Sequence, residues 1–132
     1  MAEPRVDNEA RVTVRGEGLA GSVLGRVVGM LAARAQCPID RLDDALLVTD
    51  TVAAHAGDHG LNGAVCVTIS TQADGLALLV GSLREGGADA LVADAQLPGV
   101  GNVLEHMADE VSPRPSDNGS GEQLLIRLRF TS

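Results

Sequence analysis

Arg41-Leu42-Asp43-Asp44-Ala45-Leu46-Leu47-Val48-Thr49-Asp50-Thr51-Val52-Ala53-Ala54-His55-Ala56 is the stretch on which the reading of this chain turns. Cys37-Pro38 breaks whatever precedes it. Asp40 stands where an N-cap is wanted, with Asp43 three residues on as an acidic variant of the capping box. The pattern predicts a helix that runs to about Ala56 and ends near Gly57. Asp50 and Ala54 lie about one turn apart on it, and His55, one residue further, is rotated by about 100° round the axis.

Outward from this helix the chain alternates strand and helix signals. Ala10 to Arg15 reads as a strand with Val12 and Val14 on one side. A helix is expected from about Leu19 to Ala35, with Leu19, Val23, Val27 and Leu31 facing the core and Arg26 and Arg34 on the wetter side. The turn-rich Gly57–Gly63 leads into two strands. Val65, Val67 and Ile69 alternate in the first, while Leu76 to Val80 is a continuous apolar run, as in a central strand. Gln72-Ala73-Asp74-Gly75 joins them as a hairpin. A short helix is expected through Ala88–Ala95 and a third main helix over Gly101–Val111. Asp117-Asn118-Gly119-Ser120-Gly121 then turns a short strand near Val111–Pro113 into a last strand that ends at Phe130.

This order predicts an α+β protein, a two-layer sandwich with about three helices on one face of a mostly antiparallel, mixed sheet. The 132 residues suit one domain, residues 9–132, behind a disordered tail at 1–8. Apolar residues make up 45% of the chain, and no apolar run approaches the roughly 18 residues that span a bilayer. Met1-Ala2-Glu3-Pro4-Arg5 lacks the pattern of a signal peptide, and Cys37 and Cys66 have no metal-ligand spacing. Both cysteines read as small hydrophobes in a reducing cytoplasm. All ten basic residues are Arg, an inference about a GC-rich bacterial genome and not about function. A net charge of −8 argues against binding nucleic acid, and Phe130, the sole aromatic residue, leaves no stacking platform.

Four motifs in order resemble the anti-sigma-factor serine kinases, a branch of the GHKL ATPases (histidine kinase-like ATPase domains). They are the helix around Asp50, Gly75–Ser82, Gly99-Val100-Gly101 with the residues behind it, and Gly121–Phe130. In that family the signature helix carries a Glu base and, four residues later, an Asn that holds Mg²⁺. The resemblance places Asp50 on the Glu position, one methylene short (about 1.5 Å), and Ala54 on the Asn position. A shift in register would instead put Leu47 and Thr51 there. The adenine-binding Asp falls at Gly81 or Ser82. Gly86 and Gly87 stand in for the first glycine box, Gly99 and Gly101 for the second, and Gly121 opens the closing strand. The resemblance therefore implies Asp50 as a candidate catalytic residue and Ser82, Gly86, Gly87, Gly99, Gly101 and Gly121 as candidate nucleotide-binding positions, with no metal ligand among them.

Three functions are compatible with this pattern. The first is a regulator that binds a sigma factor or a STAS-domain anti-sigma antagonist in partner switching, a pseudokinase whose binding of ATP and Mg²⁺ is weak or lost. The second is an active Mg-ATP-dependent Ser/Thr protein kinase, and the third a structural partner subunit. Ala54, with no oxygen for Mg²⁺, favours the first. The resemblance also implies a homodimer through the N-terminal strand and first helix. Gly21, Gly25 and Gly29 at four-residue spacing would serve either that contact or packing on the chain's own sheet.

Overall fold

The computed structural model describes residues 8–15, 20–116 and 119–130. Of the expected tail at 1–8, residues 1–7 lie outside the described residues and Asn8 opens the first strand. In chain order the elements are β1 (Asn8–Arg15), α1 (Ala20–Arg34), α2 (Ile39–His55), a 3₁₀ turn (Ala56–His59), β2 (Ala64–Gln72), β3 (Gly75–Leu83), α3 (Gly87–Asp94), β4 (Gln96–Leu97), β5 (Gly101–Asn102), α4 (Val103–Met107), β6 (Glu110–Pro115) and β7 (Glu122–Arg129).

Five strands form one sheet in the order β1-β2-β3-β7-β6, antiparallel at every pairing, and β4 and β5 form a separate small hairpin. Alternation within each strand and register between strands agree. Val12, Val67, Val80 and Leu124 form one cross-strand row, and Ala10, Ile69, Leu78, Ile126 and Val111 form the next. These rows face the helices. The other face carries Glu9, Arg11, Thr68 and Arg127, exposed or half-buried, as expected where only one side of an antiparallel sheet is covered. The apolar run Leu76–Val80 lies in the middle strand of the sheet.

The helical layer differs from expectation in three places. On α1 the buried residues are Leu24, Val28, Leu31 and Ala32, whereas Val23 is 47% exposed and Leu19 lies outside the described residues. The helix is apolar nearly all round, so two stripes compete. The one that wins turns Gly21 toward α2, where a Cβ in its place would stand 3.6 Å from the Ala53 Cβ. At the start of α2, Pro38 is the N-cap and makes no side-chain cap bond, while Asp40 sits inside the first turn, where its charge complements the helix dipole. The helix expected over Gly101–Val111 is only α4. Ala108 is extended, and the Asp109 N–H donates to the Arg127 carbonyl at 2.8 Å, so the chain leaves the helix to join the sheet as β6.

α2 is pinned across this sheet by Arg41. Its guanidinium donates to the carbonyls of Arg129 (2.7 Å) and Met107 (2.8 Å) and to the carboxylates of Asp44 (2.9 Å) and Asp109. Asp109 also accepts the Arg129 N–H at 2.6 Å. Partial burial pushes the Asp109 carboxyl up, but the Arg129 amide and the Arg41 guanidinium outweigh it and hold the group below its ordinary range. Cys37, beside this cluster, has its thiol pushed up by burial, and both cysteines are free. Arg41→Met keeps the side-chain stem and removes every donor. It should cost about 2–3 kcal/mol and lower the melting temperature by roughly 8–12 °C. Because Asp109 is depressed in the folded state, its contribution is full above the ordinary carboxylate range and fades as pH falls through its lowered value. The gap between the unmodified protein and Asp109→Asn should therefore close on acidification. A gap that persists into strong acid would disprove this assignment.

Candidate functional site

The helix α2 turns Ala45, Val48, Thr49, Val52 and Ala53 into the core, so its opposite face is left for other contacts. Along that face Leu47, Asp50, Thr51, Ala54 and His55 meet Ala95, Gln96, Leu97 and Val103 across a groove of about 210 Å³. Asp50 and Ala54 are both exposed there. Asp50 is the only carboxylate in the lining. Thr51 already donates to the Leu47 carbonyl of its own helix at 2.9 Å. Ligand sites for drug-sized molecules occupy about 300–1,000 Å³, and this open groove lies below that range.

Gly99 and Gly101 belong to the β4–β5 hairpin that forms the far wall, and both hold a positive φ that favours glycine. A Cβ at Gly101 would sit 3.0 Å from His106 Nε2. The amides behind this glycine box are engaged within the chain. Val103 N–H donates to the Ala95 carbonyl at 2.8 Å, and Glu105 N–H donates to Asn102 Oδ1 at 3.1 Å. Asn102 is itself buried and donates to the Val92 carbonyl. A phosphate at this turn would have to displace those partners.

The other candidate positions gather elsewhere, at the end of β3 and the start of α3. Ser82 Oγ is 3.2 Å from Ser116 Oγ, and the Ser82 carbonyl accepts from Leu61 N–H. Gly86 is the left-handed N-cap of α3 and Gly87 its first residue. A Cβ on Gly87 would stand 3.1 Å from the His59 carbonyl. The first free amide of that helix, Ala88 N–H, is capped by Glu122 Oε1 at 2.8 Å. The chain thus places its own carboxylate at the positive end of α3, where the first glycine box would support a nucleotide. Gly121 has a backbone role: a Cβ there would lie 2.1 Å from the Leu83 carbonyl oxygen. Asp50, Gly99 and Gly101 share one end of this region, and Ser82, Gly86, Gly87 and Gly121 share the other.

Between the two ends lies a residue that the sequence alone marks only as an ordinary polar side chain. His59 is 7% exposed, its Nε2 is 2.5 Å from Asp94 Oδ2 and its Nδ1 is 3.2 Å from an Arg84 guanidinium nitrogen. A guanidinium can only donate, so Nδ1 accepts and the proton sits on Nε2, facing Asp94. This hub ties the turn after α2 to both ends of α3. Its partners are 25 and 35 residues away, too far for any local pattern to signal.

Among the described residues no group of three His, Cys, Asp or Glu side chains converges as a metal site would require. At position 54 the side chain offers no oxygen for Mg²⁺, and the amides of Ala88, Val103 and Glu105 already have partners within the chain. The chain matches no model of a known protein family, and no curated protein matches it.

Gly121→Ala should lose at least about 2 kcal/mol by chemical denaturation, since both its φ of +72° and the Leu83 carbonyl oppose a side chain. A neutral result would mean that the β6–β7 turn is not held against β3 as described.

Proposed function

We propose that this chain is a protein-binding regulator of the anti-sigma type that acts without nucleotide, docking a sigma factor or a STAS-domain antagonist in the bacterial cytoplasm. The observation that carries it is the Glu122 carboxylate on Ala88 N–H, matched by Asn102 on Glu105 N–H. The second glycine box, which in the family presents amides to phosphates, has an internal partner at Glu105 N–H, and the helix start at the first box is capped as well. For the kinase alternative there remains only Asp50, exposed in the groove without the metal-holding neighbour that its chemistry needs. No helix among the described residues is long and apolar enough to cross a membrane.

In thermal unfolding, millimolar Mg-ATP should leave the melting temperature unchanged. A ligand at a hundred times its Kd would add about 2.7 kcal/mol, a shift of several degrees. A shift of that size, abolished by EDTA, would replace this proposal with the kinase.

A homodimer belongs to the same proposal, and the sheet supports it better than the glycine stripe does. Gly21 packs against α2, whereas side chains built at Gly25 or Gly29 would meet nothing within 4 Å. Among the described residues β1 is an edge strand, and such an edge presents a row of backbone groups to a partner. Two copies of β1 paired antiparallel about Val12 set Glu9 opposite the partner's Arg15, twice, with Ala10, Val12 and Val14 continuing the inner face. Val23 and Met30, exposed on α1, lie in the layer above. Light scattering should give twice 13.5 kDa. Glu9→Arg should weaken association by about tenfold through repulsion at both pairs, and adding Arg15→Glu should restore it. A monomer at every concentration would end the dimer proposal.

A further inference from the structure

The groove on α2 has chemistry of its own once a nucleotide is set aside. Its walls are mostly apolar, with Leu47, Ala54, Leu97 and Val103 prominent, and Leu97 on the hairpin is 40% exposed. Val100, at the tip of the same hairpin, is also exposed. Asp43 and Asp50 flank Leu47 at four and three residues' distance, which places both carboxylates along the rim of the helix face. Both are exposed, and among the described residues neither makes an ion pair or a side-chain hydrogen bond. Elsewhere the chain's carboxylates are often matched: Asp44 and Asp109 by Arg41, Glu110 by Arg114 and Arg127, and Asp94 by His59.

An apolar slot of about 210 Å³ with the unpaired Asp50 in its wall, and the unpaired Asp43 further along the same helix face, is complementary to one kind of occupant. We infer that it receives an aliphatic anchor side chain from a basic amphipathic segment of a partner protein, with Lys or Arg on either side of the anchor meeting Asp43 and Asp50. This inference rests on the protein-binding proposal above and names the docking site within it. The exposed rim charges would speed encounter and set orientation, while the anchor in the slot would slow release. Burying Leu97 and Leu47 under a partner would remove apolar surface from water, which a nucleotide phosphate at the same place could not do.

The test uses two fluorescent synthetic helical peptides, one of Lys and Leu and one of Glu and Leu, titrated into the full chain. The Lys/Leu peptide should bind more weakly as salt rises, and the Glu/Leu peptide should not bind. Amide shifts should concentrate at Leu47, Ala54, Leu97 and Val103. Ala54→Leu fills the slot from an exposed position without altering charge, and should weaken binding about tenfold. Asp43→Asn with Asp50→Asn should flatten the salt dependence. If Ala54→Leu changes nothing, or the shifts map to α1 or the outer sheet face, attraction to net charge alone explains the binding and the inference fails. It also fails if Ala54→Leu alters the mass of the free protein, because a second copy would then occupy the groove. Absence of peptide binding together with no response to Mg-ATP would remove this docking site alone, whereas stabilisation by Mg-ATP would remove the proposal beneath it.

Discussion

Arg41 is the point at which the two layers are held in register. A helix lying on a twisted sheet can slide and rotate at little cost if only apolar contacts hold it, because the hydrophobic effect has no direction. Arg41 supplies the missing direction. Its guanidinium reaches the carbonyls that end α4 and β7 and the carboxylate that opens β6, while Asp44 holds it from within α2. Ala45, Val48 and Val52 then fall on the sheet, and Leu47, Asp50 and Ala54 fall outward along the groove. The orientation of every candidate residue on this helix depends on that anchor.

A second constraint acts where glycines replace side chains. Backbone N–H groups at helix starts need acceptors, and a nucleotide-binding fold leaves some open for phosphate. Here Glu122, Asn102 and the Ala95 carbonyl take three of them. The same features that satisfy the fold occupy amides that an anion would need. The positive φ at Gly86, Gly99, Gly101 and Gly121 still shapes the turns, so these glycines have a structural reason to be present without any ligand.

The strands were the most legible part of the chain. Val65, Val67 and Ile69 alternate because only one face of the sheet is covered, and Leu76–Val80, apolar throughout, lies in the middle strand with Ala77 and Leu79 half-buried on the outer face. α1 was ambiguous for an equally physical reason: apolar residues on nearly every side allow more than one stripe, and contact with α2 through Gly21 decides between them. Gly101–Val111 has enough helix-forming residues for three turns, but sheet pairing at Asp109 outweighs that local preference.

The pattern of residues by itself determined the five main strands, the first two helices, the mostly antiparallel α+β class, the acidic balance and the absence of an oxygen at position 54, because these follow from periodicity, turn chemistry and composition. Only the tertiary structure decided that Glu122 caps α3, that His59 joins Arg84 to Asp94, that Ser82 lies away from Asp50, and that β1 forms an edge. Those relations link residues far apart in the chain. Local propensity carries no information about them, since a carboxylate 34 positions downstream becomes a cap only when the sheet brings it there.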